Sequence, residues 1–169
     1  MAKLYFKYGV MGCSKSAQAL ITKFNYEERG MKVLLVKPAI DTRDGKDIVK
    51  SRIGLAAEAF AVPSDENLYK FYAEKHSDND VIIVDECQFL TTEQVDQLGD
   101  IVIDFNVPVL CFGLACDFTN HLFEGSKRLF EIAESVAEIK SVCKCGAKAT
   151  VTARFDDSGN ILYKGEQVV

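Results

Sequence analysis

Three short runs in which every residue is apolar constrain this chain most: Val33-Leu34-Leu35-Val36, Val81-Ile82-Ile83-Val84 and Val109-Leu110-Cys111-Phe112. A strand with one wet face alternates apolar and polar residues, whereas a run that is apolar throughout has both faces covered. That is the condition of a parallel sheet lying between helices. Segments with helical spacing separate the runs. Ala17, Leu20, Ile21 and Phe24 recur after Ser16 until Gly30 supplies a stop. A capping box beginning at Thr91 precedes Val95, Leu98, Val102 and Phe105, and that helix stops before Pro108. Ser64-Asp65 is read as the cap of a helix carrying Leu68, Phe71, Tyr72 and Lys75, and a last helix carries Leu129, Ile132, Ala133 and Val136. With Leu4-Tyr5-Phe6 and Ala59-Phe60-Ala61-Val62 as further strands, the alternation predicts an α/β fold built on a mainly parallel sheet with flanking helices.

The 169 residues suffice for one sizeable domain and a small appendage. The texture changes after residue 141: a Cys143-Lys144-Cys145-Gly146 knuckle is followed by Thr150 to Phe155 and Ile161-Leu162-Tyr163 around the turn signal Asp157-Ser158-Gly159-Asn160. Residues 1–141 are therefore expected to form the α/β unit and residues 142–169 a β appendage. Asp41 to Asp47, with Ser51 to Gly54, reads as a long polar surface loop. A net charge of −5 with interspersed signs argues against a broad surface for nucleic-acid backbones, while leaving room for a small anionic ligand. No apolar run approaches the roughly 18 residues of a membrane span, and Met1-Ala2-Lys3-Leu4 lacks a signal-peptide layout, so a cytoplasmic protein is expected. Its six cysteines are scattered, several of them in apolar strands, which favours reduced thiols over a disulfide framework.

Two stretches carry chemistry. Tyr8-Gly9-Val10-Met11-Gly12-Cys13-Ser14-Lys15-Ser16 runs from a strand into a helix with the spacing of a phosphate-binding loop, except that Ser14 stands where a Gly precedes the Lys. In such a loop the backbone N–H groups, here those of Gly9, Met11, Gly12, Cys13 and Ser14, surround an anion. The ammonium, Lys15, reaches the terminal phosphates and the hydroxyl, Ser16, holds Mg2+. If residue 14 needs a positive φ, its Cβ costs on the order of 1–3 kcal/mol. The alternative is an ordinary strand-to-helix turn. Asp85-Glu86 follows the second apolar run, at the carboxyl end of a central strand, where ligands of open α/β sheets collect. Asp85 there suits Mg2+ and Glu86 suits proton abstraction from an attacking hydroxyl; the alternative is a solvated loop start.

Taken together, these stretches resemble the type II thymidine kinases. The motifs occur in that family's order: Gly9-Val10-Met11 with Lys15-Ser16, Lys37-Pro38-Ala39-Ile40-Asp41-Thr42-Arg43, Ser51-Arg52-Ile53-Gly54, and Asp85-Glu86-Cys87-Gln88-Phe89. Gly113-Leu114 with Asp117-Phe118, Phe123-Glu124-Gly125-Ser126, and Cys143 to Ala149 then follow. The resemblance implies a P-loop NTPase-like sheet with a zinc-ribbon-like appendage, and ATP-dependent phosphorylation of the 5′-hydroxyl of thymidine to dTMP. It further implies a cytosolic homotetramer inhibited by dTTP. By matching positions, Glu86 is the general base, Arg52 lies near the reacting phosphates, and Asp85 is the Walker-B-like acid. Met11, Phe89, Leu114, Phe118 and Phe123 line the thymine pocket, and Cys143 and Cys145 belong to a structural Zn2+ site.

The sequence departs from the family at Ser14, at the single residue between Cys143 and Cys145 where the family has two, and after Val169, where the family's thymine-closing loop and second zinc-ligand pair continue. His76 and His121 lie far from the knuckle in sequence and are expected on the surface or in loops rather than as ligands. The competing functional reading is a non-catalytic nucleotide-binding or sensor protein, in which a phosphate loop altered at Ser14 binds without transferring.

Overall fold

The computed structural model describes residues 1–39 and 48–164. In chain order, β1 (Leu4–Tyr8) leads into α1 (Lys15–Glu28), β2 (Val33–Pro38), the short strands β3 (Ile48–Lys50) and β4 (Ala56–Glu58), and β5 (Phe60–Val62). Then come α2 (Leu68–Phe71), running on into a π-helical turn at Tyr72–His76, β6 (Val81–Val84) and a 3-10 turn at Cys87–Phe89. These are followed by α3 (Thr92–Phe105), β7 (Val109–Gly113), α4 (Glu124–Ile132), β8 (Ser135–Glu138) and the two-residue strands β9 (Arg154–Phe155) and β10 (Ile161–Leu162).

One six-stranded sheet, in the order β5-β2-β6-β7-β1-β8, is parallel at every pairing. The apolar runs sit at its centre in register, Leu35 opposite Ile83 and Ile83 opposite Leu110. Successive side chains of a strand leave opposite faces, and both faces are covered. Leu34, Val36, Ile82, Val84 and Cys111 pack with Leu68, Tyr72, Leu98, Ile101 and Leu129 from the α2, α3 and α4 side. Leu35, Ile83, Leu110 and Phe112 pack with Ala19 and Leu20 of α1 and Val49 of β3 on the other. The expected α/β architecture is thus present, and two-sided burial explains why the runs contain no polar residue.

Several local expectations are corrected. The helix after β5 is capped by Asn67, whose side chain accepts from Lys70 N at 3.0 Å, while Ser64-Asp65 forms a turn before it. Ile21 and Phe24 of α1 are exposed and Ala19 is buried instead, because α1 covers the sheet with a narrow small-residue face. Ser51 to Gly54 is the turn of a β3–β4 hairpin, not part of an irregular loop; Leu55 N donates to Ser51 Oγ at 3.0 Å and closes it. Residues 41–47 of the expected loop lie outside the described residues, as do Gly165 to Val169. The last helix ends at Ile132. Ala133 turns extended, and Val136 belongs to β8, which pairs with β1 at the sheet edge. Its Ser-Val-Ala-Glu sequence has neither the alternation nor the β-branched density that marks a strand. The capping box is present at Thr91, with Gln94 reciprocating. In the appendage the hairpin turn falls around Asp156 to Asn160, and among the described residues its strands are the two-residue β9 and β10.

Candidate active site

Strand β1 sends its helix α1 to one face of the sheet, and its neighbour β7 sends α4 to the other. The carboxyl ends of β1, β7 and the adjoining β6 therefore border a crevice, the place where open α/β sheets bind ligands. Gly9 N donates to Gly113 O at 3.2 Å and ties the two strand ends together. A Cβ on Gly9 would lie 2.3 Å from Cys13 Sγ and 2.8 Å from Ile139 O, so only glycine lets the loop fold back this tightly.

The loop turns through two left-handed residues, Gly12 (φ 79°) and Ser14 (φ 66°), before α1 begins at Lys15. Ser14 is the N-cap, yet its hydroxyl makes no capping bond, so the serine carries the backbone strain without the usual return. We predict that Ser14→Gly raises the melting temperature by roughly 2–4 °C for each kcal/mol of strain relieved, checked by calorimetry on both proteins. The Lys15 ammonium lies across the loop, 3.0 Å from Val10 O and 3.6 Å from Cys13 Sγ. Arg52, carried by the hairpin turn, reaches the same loop: a Cβ on Gly12 would stand 3.7 Å from its Nη1.

Asp85 and Glu86 complete the crevice wall, and both are buried. Ser16 Oγ donates to Asp85 Oδ2 at 2.7 Å, which joins the start of α1 to the end of β6. Burial, and then the adjacent Glu86 carboxylate, push the Asp85 carboxyl up to about 7, against the lowering effects of the Ser16 hydrogen bond and the Lys15 ammonium. An unfolded Asp ionises near pH 4. Between the two values the folded chain holds a proton that the unfolded chain has released, so this group takes stability away as pH rises through that window. Glu86 has φ 53° and leads into the Cys87–Phe89 turn. The thiols of Cys87 and Cys111 beneath it are raised by burial and stay protonated.

The remaining expected site residues are distributed around this crevice. Phe89 and Phe123 meet edge to face at 5.5 Å between centroids. Leu114 and Phe118 are buried on the chain leaving β7, and Met11 is exposed at the loop tip. A small open cleft beside the loop is lined by Val10, Ala115, Cys116, Asn120, Thr150 and Thr152, among others. Its lining contains none of those five side chains, although Val10 and Ala115 adjoin Met11 and Leu114 in the chain.

Residues that sequence reasoning left without a role also converge here. Met11 N donates to Thr152 Oγ1 at 3.3 Å, and the Arg154 guanidinium stands 5.4 Å from the Phe118 ring centroid, so the appendage touches the phosphate-type loop and the chain after β7. Lys37, buried in β2, donates to Ile48 O at 2.6 Å and anchors the hairpin that carries Arg52. Gln88 is buried between Glu86 and Leu114. Only Gln88 had a local signal, its place two residues after the acid at a strand end.

As for metals, Ser16 Oγ and Asp85 Oδ2 are hard oxygen donors already side by side, and ionisation of Asp85 is opposed unless a cation joins it; the pair fits Mg2+. Zinc does not fit what is described. Cys143 and Cys145 sit exposed on one turn, where Cys143 N donates to Ala147 O at 2.8 Å, and the Cys143 thiol is lowered by backbone and side-chain hydrogen bonding with Cys145. Among the described residues no group of three or more His, Cys, Asp or Glu side chains is placed to hold a metal, and a structural zinc site needs four ligands. Also among the described residues, no helix is long and apolar enough to cross a membrane.

Comparison with known proteins adds lineage to this geometry. The family model for thymidine kinase matches residues 2–168. A thymidine kinase of Enterobacteria phage T4 is 50% identical over 170 residues, covering 99% of this chain and 88% of the relative. One from Zymomonas mobilis is 48% identical over 169 residues, with coverage of 99% and 88%. One from Yersinia pseudotuberculosis is 44% identical over 171 residues, with coverage of 100% and 87%.

Proposed function

The chain belongs to the thymidine kinase family, and on that premise we propose that it moves the γ-phosphoryl group of ATP to the 5′-hydroxyl of thymidine with Glu86 as general base. The observation that carries this reading is the 2.7 Å Ser16–Asp85 hydrogen bond, which puts the start of α1 and the strand-end acids into one crevice. The backbone N–H groups of Gly12 and Ser14 cradle donor phosphates, while those of Gly9, Met11 and Cys13 donate to Gly113 O, Thr152 Oγ1 and Val10 O and hold the loop in shape; Lys15 neutralises the phosphates, and Ser16 with Asp85 would hold Mg2+, which would screen phosphate charge when bound. Arg52 approaches from the hairpin and stabilises negative charge spread over the transferring group, as a planar cation can. Glu86 takes the proton from the attacking hydroxyl as the new P–O bond forms and the bond to ADP breaks. Met11, Phe89, Leu114, Phe118 and Phe123 supply the apolar surroundings of the thymine base.

The same family reading extends to a cytoplasmic homotetramer inhibited by dTTP, with residues 1–141 as the kinase unit and residues 142–169 as its appendage. One observation favours a second reading, a nucleotide sensor that does not transfer: the strained Ser14 at the position before Lys15. Coupled detection of ADP separates the two. The kinase releases ADP with Mg2+-ATP only when thymidine is added, in equal amount to dTMP; ADP release independent of thymidine, or none at all, would sink the proposal.

A further inference from the structure

We propose that Gln88 is the positioning residue that orients the Glu86 carboxylate and couples it to the loop after β7. Gln88 is 2% exposed, and both ends of its amide are engaged. Its Nε2 donates to Glu86 Oε2 at 2.5 Å, and its Oε1 accepts from Leu114 N at 3.2 Å. Only one amide orientation satisfies both partners. Flipped, the amide would set oxygen against the carboxylate oxygen and N–H against N–H. The Leu114 backbone therefore decides which end of Gln88 faces Glu86.

The socket around this amide is built rather than incidental. A Cβ on Gly113 would lie 2.5 Å from Gln88 Oε1 and 2.7 Å from Cys87 Sγ, so the close approach of β7 depends on the missing side chain. A Cβ on Gly125 would lie 2.4 Å from Cys87 O and 3.2 Å from Gln88 O, which seats the first turn of α4 directly behind the turn. Ser126 Oγ donates to Leu114 O and holds the far side of the same peptide chain. The end of β7 thus meets the amide itself, and the start of α4 packs on the backbone of Gln88 and bonds that of Leu114.

A base must present an oxygen to the hydroxyl proton within hydrogen-bond reach and in line. Fixing one carboxylate oxygen fixes the plane of the group and with it the direction of the other oxygen. Glu86 starts from a left-handed backbone on a tight turn, so its side-chain direction is set by such contacts and not by regular secondary structure. The inference rests on the reading of Glu86 as the base.

A double-mutant cycle with Gln88→Met, Glu86→Gln and both together tests it by steady-state dTMP formation. Gln88→Met is expected to lower kcat by about 10²-fold, the scale of a roughly 1 Å misplacement, with both KM values within about threefold. In the Glu86→Gln background the same change is expected to alter the residual kcat by less than about threefold, because the group it positions is already gone. Gln88→Leu likewise removes both the donor to Glu86 and the acceptor for Leu114 N without adding a charge, so its kcat should fall as well even if Gln88→Met folds poorly. Equal losses in both backgrounds, or losses confined to KM, would overturn the proposal. If Glu86→Gln is inactive while the Gln88 variants retain wild-type kcat, this inference alone fails; if Glu86→Gln turns over normally, the base assignment fails and takes it along.

Discussion

Replacing Glu86 by Gln is expected to lower kcat for dTMP formation by about 10²–10⁴-fold, the range a positioned general base contributes, with ATP affinity staying within about threefold. The substitution is nearly isosteric, and an amide oxygen can still accept from Gln88 Nε2, so the 2.5 Å contact survives it. Left-handed backbone at residue 86 is no harder for Gln than for Glu. What disappears is the capacity to accept the hydroxyl proton. Transfer of radiolabelled phosphate to thymidine, together with calorimetric titration of ATP, reads both quantities; near-normal turnover would remove Glu86 from the chemistry.

The second large effect is expected at the opposite side of the crevice. Lys15→Ala should weaken ATP by about 10–100-fold, the equivalent of the 1.5–3 kcal/mol typical of a hydrogen bond to a charged group, and thymidine by less than about threefold. In the structure the ammonium lies over the loop, on Val10 O and beside Cys13 Sγ, where an anion held by the loop amides would meet it. Separate titrations of the two ligands decide the matter, and equal weakening would remove the phosphate role of Lys15.

Much of the architecture was legible because burial leaves a mark on a linear sequence. The three apolar runs had to be two-sided strands, and Thr91 with Gln94 had to be a capping box, since each pattern satisfies a local physical need. Elements whose stability comes from partners were misread. The Ser135–Glu138 strand exists because β1 offers it an edge, and the β3–β4 hairpin because Ser51 and Lys37 hold it. The π-helical turn at Tyr72–His76 likewise has no periodic signature to distinguish it from the end of a helix.

The candidate site divides along the same line. Lys15, Ser16, Asp85 and Glu86 stood out because chemistry near the ends of buried strands needs few residue types at fixed spacing. Gln88, Lys37, Thr152 and Arg154 could not be assigned from sequence, because their work lies in contacts to residues up to 141 positions away. Sequence alone determined the central buried strands and the helices that carry a cap or a clear apolar period, and marked the side chains whose chemistry suits phosphates and protons, because those properties reside in local polarity and spacing. Only the tertiary structure decided that these groups share one crevice, which buried amide hydrogen-bonds the acid, and that Ser14 adopts a glycine conformation, because each depends on where distant backbone leaves room.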